Sequence, residues 1–299
     1  MKQICKIAGL LVLLGLLMGG QTLAEHCRIT PRRCVNGNDE ETHQNVSVKI
    51  LRDYLVIVEG HFGDGHRRNF ILDTGTAPSI VNASLVKKLG LAPFASTMSM
   101  IGKIVPGQMA ILPELEVGPV RTVSLRVQIQ DLAPLERNLG ITLAGIVGMD
   151  VLGQSDFRLD YENKVLVFGD VAEEGIPISF DARRGIAVAS VQIDGALRSM
   201  LVDTGTDQFS LLGIDLKHSD RIELHSTAQE GSNLNEQSVP VKAFYGADVI
   251  LGHQHFVVKK GYFVSGNSEP NFDGLLGVRA LGFRAIVYNR EHETIYLQK

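Results

Sequence analysis

The stretch Asn69-Phe70-Ile71-Leu72-Asp73-Thr74-Gly75-Thr76 decides the fold, because the chain repeats it as Ser199-Met200-Leu201-Val202-Asp203-Thr204-Gly205-Thr206. In both, an apolar strand-like run ends on an acid, and Thr-Gly-Thr follows. The acids lie 130 positions apart, from 73 to 203. Further on, Gly145-Ile146-Val147-Gly148 matches Gly274-Leu275-Leu276-Gly277, and the final strands Val165 to Phe168 and Thr294 to Leu297 match as well, both at an offset of 129. Three landmarks in one register mark an internal duplication.

The elements around the landmarks read as strands joined by tight turns. Tyr54 to Glu59 leads through a glycine turn at Gly63 and Gly65 into Asn69 to Asp73; Ile186 to Ile193 leads through Asp194-Gly195, a favoured hairpin turn, into Ser199 to Asp203. Strands are also expected at Leu115 to Val117, Val123 to Ile129, Ala247 to Leu251 and Phe256 to Val264. A short helix is expected from Ala83 to Leu89, with Asn82 as its N-cap and Gly90 as its stop. Helical heptads are missing and glycine is abundant, at 31 of 299 residues, which favours short strands over a helix bundle. The expected fold is all-β, with two pseudo-symmetric lobes at 46–172 and 173–299 joined near Asp170 to Ile178.

Composition and the N-terminus bound the setting. With 29 basic and 33 acidic residues the formal net charge is −4, so the basic excess that nucleic acid binding needs is missing. Lysines at 2 and 6, an apolar run from Ile7 to Met18 and small residues up to Ala24 describe a secretory signal peptide at 1–24; an uncleaved membrane anchor is the alternative. An exported chain, periplasmic or secreted and monomeric, is expected. Residues 25–45 read as an N-terminal extension, where Cys27 and Cys34 can close a small disulfide loop in an oxidising compartment. Arg28, Arg32 and Arg33 read as part of that solvated extension.

The repeated motif carries the chemistry. An apolar strand buries the backbone that holds the acid, glycine turns the chain without shielding it, and the hydroxyls supply hydrogen bonds. If the copies face one another, Asp73 and Asp203 share a proton and titrate as a pair, since two carboxylates in contact do not both ionise readily. Such a pair supplies both halves of acid-base hydrolysis, with no cofactor, metal or covalent intermediate. A single copy would equally be an ordinary strand-ending turn; two copies in register weigh against that.

At these residues, over roughly Val46 to Lys299, the chain resembles the aspartic peptidases, the group containing pepsins and retropepsins. The resemblance implies pepsin-like or retropepsin-like lobes and an aspartic endopeptidase acting on extended peptide or protein segments. It makes Asp73 and Asp203 catalytic. It has Thr74 and Thr204 bond across to the opposite lobe, Gly75 and Gly205 keep the site open, and Thr76 and Thr206 orient the carboxylates. Gly148 and Gly277 would close ψ-shaped loops beneath the acids. It also implies a flap at Met100 to Gly107, with Ile101, Gly102, Lys103 and Ile104 over the substrate; a plain hairpin is the other reading of that stretch. The tyrosine that pepsins carry on the flap is missing, and the corresponding second-copy stretch, Gln229 to Ser238, is polar. The length suggests two retropepsin-sized units fused.

Other candidates are weaker. His253-Gln254-His255 puts two imidazoles on one strand face, read as solvated rather than metal-binding. Zinc-protease and serine-elbow motifs are missing. Asp150 follows the first apolar-glycine element, Asp160-Tyr161 reads as a structural strand-turn pair, and Asp170 to Glu174 as a solvated linker. Two rival functions use the same fold: a non-catalytic peptide-binding module, and an envelope assembly protein.

Overall fold

The computed structural model describes residues 11–12, 44–100, 103–181, 185–213, 222–227, 231–233, 238–239, 241–265 and 272–299. Cys27, Cys34 and the signal segment, apart from Leu11–Val12, lie outside the described residues, as do Ile101 and Gly102. The described residues are mostly strand, in sheets of thirteen, nine and three strands, with three short α-helices, so the fold is all-β.

The two copies meet in one sheet. Its order runs Ile176–Ser179, Thr294–Gln298, Ala285–Asn289, Phe157–Asp160, Val165–Phe168, Gln44–Leu51, and the first three strands are the repeat counterparts of the last three in mirrored order. A pseudo-dyad therefore passes between Phe157–Asp160 and Ala285–Asn289. Their register obeys it: Phe157 pairs with Tyr288 and Leu159 with Ile286, and the offset of 129 turns each pair into the other. The central strands are largely buried, whereas Ile176–Ser179 alternates buried with exposed residues. Phe157, Leu159 and Ile286 are buried, and Phe157 stacks on Tyr288 at 5.2 Å between ring centroids.

Within each copy the strand leading to the acid runs parallel to the apolar-glycine strand. Arg68–Leu72 pairs with Gly145–Val147, and Ala196–Asp203 with Gly274–Gly277. These crossings need glycine: a Cβ on Gly145 would lie 2.1 Å from Ile80 O, and one on Gly274 would lie 2.3 Å from Ser210 O.

Several expectations need correction. The strand expected over Phe256 to Val264 is two strands, Gln254–Val258 and Gly261–Ser265, because the chain turns at Lys259-Lys260. His253 falls in the turn before Gln254–Val258, so only His255 lies on the strand, and the two imidazoles do not share a strand face. Leu115 to Val117 is the end of a longer strand, Lys103–Val117. The helix capped by Asn82, whose side chain accepts from Ser84 N, is α only over Ala83–Val86 before turns lead to Gly90. A second helix, Ala133–Leu139, went unforeseen although Asp131, Pro134 and Gly140 mark its ends. Asp170 to Glu174 is no simple solvated linker: Glu173 accepts hydrogen bonds from Asn289 Nδ2 at 2.5 Å and Tyr296 Oη at 2.8 Å, and lies 2.7 Å from His292 Nδ1. Asp160 does hold a strand-end turn, accepting from Glu162 N and from Asn163 N and Nδ2.

Candidate active site

Asp73 ends the Arg68–Leu72 run, and Asp203 is the last residue of Ala196–Asp203. The pseudo-dyad brings the two strand ends together. A Cβ on Gly75 would lie 2.7 Å from Asp203 Cγ, and a Cβ on Gly205 would lie 2.8 Å from Asp73 Cγ. Each glycine thus lies against the opposite carboxylate, and a methyl group on either would displace it. Both acids are fully buried.

The threonines after the acids lock this approach reciprocally. Thr74 N donates to Thr204 Oγ1 at 3.1 Å, and Thr204 N donates to Thr74 Oγ1 at 3.1 Å. Each hydroxyl then donates to the strand opposite: Thr74 Oγ1 to Val202 O at 2.9 Å and Thr204 Oγ1 to Leu72 O at 3.2 Å. Four buried hydrogen bonds between the copies fix the spacing of the acids, and buried polar groups of this kind are costly to leave unpaired.

The two carboxyls differ in their donors. Asp73 Oδ1 accepts from Gly75 N at 2.8 Å and Oδ2 from Thr76 Oγ1 at 2.7 Å. Asp203 Oδ1 accepts from Gly205 N at 2.6 Å, but Thr206 Oγ1 instead accepts from Gln208 N at 3.1 Å. Asp203 Oδ2 is buried and has no hydrogen-bond partner. Burial pushes both acids above the usual carboxylate range. Asp203 is pushed well above it, because the Asp73 charge adds to desolvation, whereas bonds from Thr76, Asp203 and Gly75 hold Asp73 down. The pair titrates as a unit, and its donors favour the proton on Asp203. Thr76 therefore takes the orienting position expected of it and Thr206 does not.

Apolar layers flank the acids. In the first copy Ile71, Met98, Leu132 and Ile146 pack together with Tyr54; in the second Val188, Leu201, Leu212 and Leu275 do so, with Ala77 of the first copy packed against them. Burial, with the Asp207 charge second, pushes the Tyr54 phenol up to about 12. The stretch expected to be a flap is a hairpin: Phe94–Met100 pairs with Lys103–Val117 up to Met100 opposite Lys103. Near its tip, buried Met98 and Val105 opposite it pack into the first copy's apolar layer. Lys103 and Ile104 lie on its second strand.

The sequence reading gave no site role to Ser79 and passed over Asp150. Ser79 Oγ donates to Asp150 Oδ1 at 2.6 Å and accepts from Gly148 N at 2.9 Å. The signal was there, six residues after Asp73 and two after Gly148, but the second copy carries Phe209 and Arg279 at those places, so the repeat does not point to them.

Residues 58–151 match the family model described as aspartyl protease. No curated protein matches the chain.

Proposed function

We propose that this chain is an aspartic endopeptidase in which a water molecule between Asp73 and Asp203 hydrolyses a peptide bond. The observation that carries the reading is the reciprocal approach of Gly75 and Gly205 to the opposite carboxylates, which puts two fully buried acids side by side at the pseudo-dyad.

The roles follow from the donors. Asp73, whose charge has the more hydrogen-bond donors, takes a proton from the water as its oxygen attacks the amide carbon. Asp203 hydrogen-bonds the carbonyl oxygen with its proton, stabilising the charge that develops there. The Asp203 proton passes to that oxygen to give a gem-diol; the Asp73 proton then passes to the leaving nitrogen, a diol hydroxyl returns its proton to Asp203 and the C–N bond breaks, leaving one proton on the pair. The chain supplies the acid, the base and their placement.

The substrate is an extended segment whose backbone pairs with strand edges and with the Phe94–Met100 hairpin, as in β-augmentation. The apolar layers under both acids favour apolar side chains flanking the scissile bond. Residues 1–24 serve as an export signal, so cleavage takes place outside the cytoplasm.

The test is cleavage of a synthetic peptide with a central apolar pair in ¹⁸O-labelled water between pH 3 and 8. The wild-type chain is expected to release two fragments with the label in the new carboxyl group. Asp73→Asn is expected to lower kcat/KM by on the order of 10³-fold or more while leaving the circular dichroism unchanged. Undiminished cleavage by the folded variant overturns the reading.

A further inference from the structure

The duplication is broken beneath Asp73: Ser79 and Asp150 are replaced in the second copy by Phe209 and Arg279. In the first copy, the segment from Thr76 to Ser79 is tied down at both ends. Thr76 O accepts from Met149 N at 2.8 Å. Ser79 N donates to Asp150 Oδ2 at 2.9 Å, Ser79 Oγ donates to Asp150 Oδ1 at 2.6 Å and accepts from Gly148 N at 2.9 Å, and Ser79 O accepts from Gln128 N at 2.9 Å. With both ends held, the Thr76 hydroxyl stays on Asp73 Oδ2.

Among the described residues the second copy is tied differently, with Gly277 N donating to Gln208 O at 3.0 Å in place of the side-chain clamp. Phe209 stands in place of Ser79, and Arg279, in place of Asp150, reaches away to Asp53 O at 3.1 Å and Phe283 O at 2.5 Å. There the backbone N–H of Gln208 occupies Thr206 Oγ1, and Asp203 Oδ2 has no hydroxyl donor.

We propose that Ser79 and Asp150 are positioning residues: clamping the Thr76 to Ser79 segment, they hold the Thr76 hydroxyl on Asp73, and so assign the shared proton to Asp203. The consequence for catalysis rests on the peptidase reading; the proton assignment does not. Among the described residues, the other titratable groups near the pair are Asp150 itself, which burial raises above the usual carboxylate range, Tyr161, with Arg279 5.4 Å over its ring, and Tyr54, which feels the charges of Asp207 and Asp203. Burial keeps both phenols protonated in the carboxylate range, so neither supplies the asymmetry.

The experiment is a ¹³C-carboxyl NMR titration of aspartate-labelled protein, with Asp73 assigned from its loss in Asp73→Asn. In the wild-type chain the lower step of the coupled pair belongs mainly to Asp73. In Ser79→Ala and Asp150→Asn that step is expected to rise by about one pH unit, the loss of a hydrogen bond to a charged group, while Ser79→Thr keeps the wild-type value. The acid limb of kcat/KM is expected to move with it, in kcat more than in KM. Ser79→Ala retains the backbone bond to Asp150 and carries the test if Asp150→Asn does not fold. A lower step unchanged in a folded clamp variant overturns the proposal. If the wild-type chain cleaves nothing, the peptidase reading fails, and the titration still decides the proton assignment.

Discussion

At the scale of single residues, two hydroxyls and two glycines define the site. Thr204 is the sharpest probe of the lock between the copies, since its Oγ1 serves Thr74 N and Leu72 O in a fully buried place. Thr204→Val keeps the shape and strands both backbone groups, so it is expected to lower stability by about 2–4 kcal/mol, read as a fall in the urea midpoint at constant m-value. The acids give a pH dependence of definite sign. Burial and the neighbouring charge raise Asp203 above its unfolded value, so between roughly pH 4 and its folded value the native state binds more protons than the unfolded chain. This contribution to stability is complete at acid pH and is lost as pH rises through the folded value. Denaturation at stepped pH is expected to show it, and Asp203→Asn to flatten it. These residues were legible in the sequence because the motif occurs twice. Ser79 and Asp150 were not, because their role depends on a contact 71 positions apart that occurs in one copy only.

At the scale of elements, the sheet shared by Phe157–Asp160 and Ala285–Asn289 holds the copies in register beneath the acids. Phe157 is fully buried, stacked on Tyr288 and edge-on to Phe168. Phe157→Ala is expected to cost about 3–5 kcal/mol, with loss of cooperativity between the halves, seen as a broadened or two-step unfolding transition. Strands bounded by clear turn residues could be read directly: Val165–Phe168 and Ala247–Leu251 fall where expected, and Asp194-Gly195 turns with φ of 47° and 86°. The Lys259-Lys260 turn could not, because it interrupts an apolar run without Gly, Pro, Asn or Asp at its centre. Nor does alternation within one strand disclose its partner, so the merger of terminal strands from both copies into one sheet required the structure.

At the scale of the molecule, one chain carries both halves of a two-fold site, and duplication freed them to diverge. The first copy carries the clamp under its acid and a hairpin packed near its tip on the apolar layer; the second lacks that Ser–Asp pair and turns Arg279 toward Asp53 of the first. Glu173 anchors the connection between them onto Tyr296 and Asn289. The offset of 129 to 130 residues was enough to foresee the approach of Asp73 to Asp203, whereas their inequality, with Thr76 donating to Asp73 while Thr206 accepts from Gln208, is not visible in two identical motifs. The most direct test of the account is mass spectrometry of a diverse peptide mixture incubated with the wild-type chain and with Asp203→Asn under identical acidic conditions. The account predicts new fragments from the first and none from the second; the same fragments from both would contradict it.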